Sequence, residues 1–469
     1  MHASGSELDG LIVGGGISGL AVAHWLRLHE SRGLWQLWEA SERVGGTIGT
    51  DRMEGYSIDW GPNGFLDREP LTLKMAEELG LTPRLERADG RSEKRFILKG
   101  GRLHAVPFSP PAMMKTGLLR LHEKLRLFVE PFIPGRRGDE DESVFDFAAR
   151  RIGRAAAATF VDPMVSGVFG GLARELSLPS CFPIMREMEL KYGSLVKALV
   201  ARNRERRVQD DGSRKKSGGP AGPGGWLTSY QTGLDVLAET LHKRLHQVIR
   251  TGRPVAGISR SDGLWEVHDG QGERVRARCL VIACPTGAAA RITKGFDQDL
   301  SAAFSAIPYA PIAVVASGHR RQDIAHPLDG FGFLIPRTEG LRTLGSIWTS
   351  SIFAGRAPEG HVQFRTMLGG AGDLSAIDLS DAELWATVQK EIGPLLGIRG
   401  GPAFLRIYRW PEGIPQFTLG HRERRRRIEE LAARHQRLYL VGNAYYGVGL
   451  NDCVKMARAV ADRIKGGCA

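Results

Sequence analysis

Cysteine is sparse in this chain: Cys181, Cys279, Cys284, Cys453 and Cys468 are scattered, odd in number and contain no C-x-x-C pair. That pattern excludes a disulfide framework and any zinc spacing, and it points to a reducing compartment. No uninterrupted apolar run reaches the length of a membrane span, and the first ten residues are polar without an apolar signal core. The expectation is a soluble or peripheral intracellular protein. G-x-S-x-G is absent and the histidines are dispersed, so neither a hydrolytic triad nor a metal site can be assembled. Acidic side chains are outnumbered, 52 against 64 Lys+Arg, for a net charge of +12 that suits acidic ligands or an anionic surface. No aromatic-rich module accompanies that charge, which argues against nucleic acid. No internal repeat is evident, and 469 residues leave room for two or three domains.

What is abundant is glycine, and it clusters. "LIVGGGISGLAVAHWL" (11–26) runs from a buried-strand pattern through Gly14, Gly15, Gly16, Ile17, Ser18 and Gly19 into helical spacing at Leu20, Val22, Ala23 and Leu26. This is G-x-G-x-x-G in strand–turn–helix context. The first glycine permits the turn, the second lets backbone approach a pyrophosphate, and the third lets the helix pack on the strand. "LWQLWEAS" (34–41) follows, and its Glu39 stands twenty residues after Gly19, where an acid bonds a ribose 2′-hydroxyl. A dinucleotide with an unphosphorylated ribose is expected here. A second glycine turn, "ERVGGTIGT", comes next, and the strand-like "YSIDWGPNGF" (56–65) stops at Gly61-Pro62-Asn63-Gly64.

Beyond residue 105 the pattern becomes helical, with leucines interleaved with Lys115, Arg120, Lys124 and Arg126. A charged and then Gly/Pro-rich stretch, 204–225, reads as a mobile surface loop. Strand patterns then return, two of them around Ser-Asp-Gly in 253–270 and several more through "GFGFLIP" and "VQFRTMLGG". The chain closes on strand, glycine turn and helix in "LYLVGNAYYGVGLNDCVKMARAVADRI", with Asn451-Asp452 as helix-start residues.

"GGGISGL", "E-x-x-x-RVGG" and "VGNAYYGVGLNDC" together resemble the flavin-containing amine oxidase/phytoene desaturase superfamily. With "GPNGFLDREP", "SGVFGG-x-x-REL", "GFGFLIP", "MLGG" and "GIPQFTLGH", the chain is most similar to the protoporphyrinogen oxidase family of haem biosynthesis, from about residue 8 to 465. The resemblance implies an α/β fold, α+β overall: a Rossmann-like FAD-binding domain, an antiparallel-sheet substrate domain and a helical membrane-associating insertion. It divides the chain into FAD-binding segments 1–90, 226–292 and 415–469, substrate segments 91–104 and 293–414, the helical insertion 105–203 and the loop 204–225.

It also implies FAD rather than NAD, with the Gly14–Gly19 turn on the pyrophosphate and Glu39 on the ribose. Arg43, Gly46 and Thr47 match the second glycine turn, Thr47 standing where some members carry tryptophan. Gly61, Pro62, Asn63 and Gly64 match a turn beside the isoalloxazine, Val255 a backbone contact to adenine, and Asn443, Val448, Gly449 and Leu450 the C-terminal flavin turn. A helix starting near Asn451 would aim its positive end at the ring. The implied substrate is a porphyrinogen, with Arg95 on a propionate, Phe331, Leu334 and Met367 sandwiching the macrocycle and Gly167 lining the cavity. By pattern alone Arg95 is a solvated strand residue and the three apolar residues are core.

The family reaction is repeated hydride transfer to flavin, with molecular oxygen as acceptor and hydrogen peroxide released; no side-chain base is nominated. Coproporphyrinogen III on the same fold, an amine oxidase or carotenoid desaturase, and a non-catalytic flavin module remain as alternatives. "GFGFLIP" and "GIPQFTLGH" argue against the amine oxidase. The leucine-rich 105–135 segment reads equally as an anionic-membrane contact or a helix packed in its own domain. Peripheral attachment to the inner face of the cell membrane, a homodimer and hand-over of product to a ferrochelatase complete the expectations.

Overall fold

The computed structural model describes residues 7–28, 34–136, 138–209 and 225–467. Its centre is a five-stranded parallel sheet in the order Ile249–Arg250, Trp35–Trp38, Gly10–Val13, Leu280–Ile282, Leu438–Leu440. Both faces are covered, which is why these strands are apolar at successive positions. Ile12, Leu37 and Val281 face the helices Ile17–Trp25, Asp235–Leu245 and Leu450–Gly467. Leu11, Val13, Trp38, Leu280 and Ile282 face an antiparallel layer built from Val255–Ser261, Leu264–Asp269 and Arg274–Ala277, with the helices Thr286–Thr293, Gln298–Ser305 and His421–Ala433.

The second large sheet has seven strands in the order Phe404–Pro415, Tyr309–Arg320, His361–Gly369, Thr343–Trp348, Gly332–Leu334, Phe96–Lys99, Arg102–Ala105. All neighbours are antiparallel except Gly332–Leu334 beside Phe96–Lys99. Helix Asp381–Leu396 covers one face, started by a Ser380/Glu383 capping box and ended by Gly397 in the left-handed conformation. Along His361–Gly369, Val362, Phe364 and Leu368 enter that core. Gln363, Arg365 and Met367 therefore point to the other side, toward the nucleotide-type unit.

The segment from 110 to 209 is helical, but its first part is broken into Pro110–Lys115, Leu121–Phe128 and the turn Glu130–Phe132. Two of the basic residues interleaved with the leucines of this part turn inward, as the packed-helix alternative has it. Lys124 Nζ donates to the Met114 carbonyl at 2.9 Å, and Arg126 donates to the carbonyls of Arg150 and Arg151 at 2.7 and 3.2 Å. Helix Leu195–Gln209 also runs into the stretch expected to be a loop from 204, because RERRVQ contains good helix formers and no Gly or Pro. Residues 210–224 of that expected loop lie outside the described residues. Among the described residues no helix is long and apolar enough to cross a membrane.

A buried acid holds this layer together. Glu130 accepts from Ser194 Oγ at 2.6 Å and from the Leu195 and Val196 N–H groups at 2.9 and 3.2 Å, and it pairs with fully buried Arg151. Burial would push this carboxyl up, but the bonds from Ser194, Leu195 and Arg151 outweigh it and leave it below the usual carboxylate range. Glu130→Ala removes the nearest counter-charge of Arg151, leaving it the shared Glu189 at 3.7 Å, and is expected to cost about 3 kcal/mol in denaturant unfolding at pH 7. The lowered carboxyl contributes fully above about pH 5 and loses its contribution as pH falls, so variant and parent should converge in acid.

Candidate active site

The first glycine turn is shaped by contacts that exclude side chains. Gly14 has φ +110°, and a Cβ on Gly19 would lie 2.0 Å from the Gly14 carbonyl oxygen. Gly16 differs: its backbone is extended, and a Cβ there would meet nothing within 4 Å. That open space lies at the N-terminus of Ile17–Trp25, which has no side-chain cap and no acid in its first turn. Free N–H groups therefore face a cradle that a phosphate fits. Glu39 sits at its edge, accepting from Gly15 N–H at 2.7 Å and Ser41 N–H at 2.8 Å. Arg253 N–H donates to the Glu39 carbonyl at 2.8 Å, and Val255, two residues on, packs against the core cluster that includes Val13 and Trp38.

The second turn is pinned to the first. Gly45 N–H donates to the Gly15 carbonyl at 2.8 Å, and Gly46, at φ +60°, would place a Cβ 3.3 Å from Gly16 Cα. Arg43 braces this turn from inside. It donates to the carbonyls of Gly46, Val44 and Ile48 at 2.6, 3.1 and 3.2 Å and lies over the Trp60 ring at 4.2 Å. Burial pulls its guanidinium below the ordinary arginine range, with Glu39 and Asp51 opposing. Gly61 backs onto the same turn: a Cβ there would lie 2.4 Å from the Thr47 carbonyl oxygen. Next to it, Asn63 has a buried Nδ2 with no hydrogen-bond partner among the described residues. An orphaned amide donor at this point suits a polar ring edge.

The C-terminal turn reaches the same place. Helix Leu450–Gly467 starts one residue before the expected Asn451, and both supposed start residues brace neighbouring backbone. Asn451 donates to the Leu66 carbonyl and accepts from buried Thr72, both at 2.8 Å, and Asp452 accepts from Gly449 N–H at 3.2 Å. Cys453 meets Ser18, which brings the two helix N-termini together. Leu450 is buried beside Ile12 and Leu20, whereas Val448 packs on the helical layer with Phe169. Asn443 lies between the strand Leu438–Leu440 and this turn.

The five residues expected at a substrate slot converge on one face of the seven-stranded sheet. Leu334 pairs in register with Gly345 and Gly345 with Met367, so Leu334 and Met367 flank a position that has no side chain. Helix Asp162–Phe169 faces this row, where a Cβ on Gly167 would lie 2.5 Å from Leu334 Cδ2. Met367 also packs on Ile312, Val314 and Leu344. At the other end the Arg95 guanidinium lies over the Phe331 ring at 5.5 Å. Arg95 has no carboxylate partner among the described residues and keeps an accessible side chain, although surrounding protein lowers it by desolvation.

Sequence reasoning missed the residues that join slot to cradle. Arg365 Nη2 donates to the Gly61 carbonyl at 2.5 Å, Tyr408 hydroxyl donates to Asp51 at 2.7 Å, and Trp410 Nε1 donates to the Trp60 carbonyl at 3.3 Å. The available signal was an arginine between Gln363 and Met367 on one side of a strand whose other side carries Val362, Phe364 and Leu368.

The model of the flavin containing amine oxidoreductases matches residues 17–465. The chain belongs to this family. The flavin oxidoreductase is 30% identical over 466 residues to the coproporphyrinogen III oxidase of Bacillus subtilis (strain 168), covering 96% of each. It is 31% identical over 482 residues to the chloroplastic protoporphyrinogen oxidase of Oryza sativa subsp. japonica, covering 97% of this chain and 88% of that one. A crystal structure from Exiguobacterium sp. 255-15, named as a candidate protoporphyrinogen oxidase, superposes with a TM-score of 0.83 at 26% identity over 99% of both chains. This oxidoreductase is FAD-dependent, and the open cradle at Gly16, the paired helix N-termini and the Asn63 donor fit that cofactor. Gly16→Val fills the cradle without straining the backbone. It should keep the parent's melting curve while weakening FAD binding by about 1.5–3 kcal/mol, roughly ten- to hundredfold, in fluorescence titration.

Proposed function

We propose that this flavin oxidoreductase oxidises protoporphyrinogen IX to protoporphyrin IX in haem biosynthesis. What supports the reading is a row of residues, apolar along Leu334, Gly345 and Met367, the last on the strand that also reaches Gly61 through Arg365. Arg95 lies over Phe331 at its end, without a carboxylate partner among the described residues. Such a row fits a ligand with an apolar body and carboxylates at its edge. When bound, FAD would supply the hydride acceptor, with molecular oxygen as the final acceptor and hydrogen peroxide as its product. In each round the substrate loses a hydride and a proton, and three rounds remove the six electrons that separate porphyrinogen from porphyrin.

The chain's own contribution is positioning. Arg95 holds a propionate, bidentate as a guanidinium allows, with Phe331 under it. Leu334 and Met367 border the macrocycle, and the missing side chain at Gly167 lets Leu334 seat against the helix. None of these five side chains takes up a proton near neutrality.

Coproporphyrinogen III is the second reading, supported by the Bacillus relative and by Arg337. That residue stands three positions beyond Leu334, with Nε and Nη2 buried and without hydrogen-bond partners among the described residues. A second guanidinium, beyond the Leu334 end and opposite Arg95, suits the extra propionates of coproporphyrinogen III.

Exposed apolar residues support peripheral contact with a lipid surface. Leu121, Leu125, Phe128 and Phe132 form a stripe, 65% exposed at Leu121 and 83% at Phe132. With Lys124 and Arg126 turned inward, the contact is chiefly apolar. Leu125→Glu combined with Phe128→Glu should abolish sedimentation with phosphatidylglycerol vesicles, whereas salt should weaken the parent's binding only modestly.

Arg95→Ala should lower kcat/KM for protoporphyrinogen IX roughly ten- to hundredfold, the worth of about 1.5–3 kcal/mol for a charge-assisted bond, mainly through KM. Unchanged KM and kcat would remove Arg95 from the slot.

A further inference from the structure

Two guanidinium groups are buried where the seven-stranded sheet meets the flavin-binding unit, with one carboxylate between them. Arg356 is fully buried. It lies 3.2 Å from Asp59 and donates to Ser229 Oγ and the Tyr230 carbonyl at 3.0 and 3.1 Å. Asp59, also fully buried, accepts from Thr50 Oγ1 at 2.7 Å and Leu234 N–H at 2.9 Å. Arg365, 3% exposed, has only the Gly61 carbonyl as a hydrogen-bonded partner, and its Nε has none among the described residues.

A guanidinium keeps its proton in proteins; Arg356 has Asp59 and, farther off, Glu86 as counter-charges, whereas Arg365 has no carboxylate partner among the described residues and its charge is the one left over. Burial of an unbalanced charge is costly, and a structural link to one carbonyl would not require it. The excess lies at a defined place. Arg365 shares its sheet face with Met367, two residues along, and grips the first residue of the Gly61–Gly64 turn.

We propose that Arg365 is a positioning residue of the redox site, fixing the Gly61–Gly64 turn and stationing the positive charge that stabilises the cofactor ring once it has taken a hydride. The inference rests on the assignment of that turn to the flavin ring. A hydride brings two electrons and one proton to a neutral ring, which gains one negative charge. The donor molecule is left as a cation and releases a proton to complete the oxidation. A fixed cation beside the ring favours the charged state over the neutral one.

The test uses full-length, FAD-loaded Arg365→Gln and Arg365→Lys. Gln retains a donor for the Gly61 carbonyl without charge, and Lys retains the charge. The readouts are the two-electron reduction potential by dye equilibration, the FAD dissociation constant and the melting curve. Gln should make reduction about tenfold less favourable, a fall of about 30 mV for a two-electron couple, and Lys should stay within about threefold of the parent. Arg365→Met serves as the neutral variant should Gln not fold. An unmoved potential in a folded, FAD-binding neutral variant overturns the proposal, as does an equal fall in Lys and the neutral variant. Asn63→Ala tests the turn separately: unchanged FAD affinity there refutes the turn assignment, while lost affinity with an unmoved Arg365 potential refutes only the role of Arg365.

Discussion

The hydrogen bond from Gly45 N–H to the Gly15 carbonyl, with the near-contact of Gly46 and Gly16 beside it, is the constraint on which the site depends. Two glycine turns can approach this closely only because neither carries side chains at the contact. Their approach leaves the helix N-terminus at Ile17 open and sets Thr47 against Gly61. Arg43 maintains the arrangement from within by holding three carbonyls of the second turn. The cradle is thus rigid before any ligand enters, and binding needs little further ordering.

The second organising feature is alternation along His361–Gly369. One set of side chains fills the core under helix Asp381–Leu396, and the other set meets Ser57, Gly61 and the slot. A single strand therefore carries both the packing that stabilises the seven-stranded sheet and the groups that join it to the glycine turns. A one-residue register slip would exchange the two sets and destroy both.

Much of this was legible in the sequence, for identifiable reasons. The Gly14–Gly19 turn with Glu39 declares itself because each position has its own steric demand, and the structure places Glu39 on that turn. Leu334, Met367 and Gly167 were singled out only through family resemblance, since their apolar pattern is that of any core. Asp59, Arg356 and Arg365 were not singled out: their pairing joins positions about 300 residues apart, and no local spacing encodes it. The inward turn of Lys124 and Arg126 escaped notice because a helical pattern does not reveal which carbonyls lie within reach of a long side chain.

The central claim is that the slot beside the cradle takes a porphyrinogen, and the most direct measurement is turnover. Purified protein with its flavin spectrum confirmed is given protoporphyrinogen IX and coproporphyrinogen III separately in air, and porphyrin fluorescence is followed against a no-enzyme control. The account predicts enzyme-dependent porphyrin formation with hydrogen peroxide, faster on protoporphyrinogen IX. A preference for coproporphyrinogen III would shift the assignment to the second reading, and no acceleration on either substrate would contradict the account.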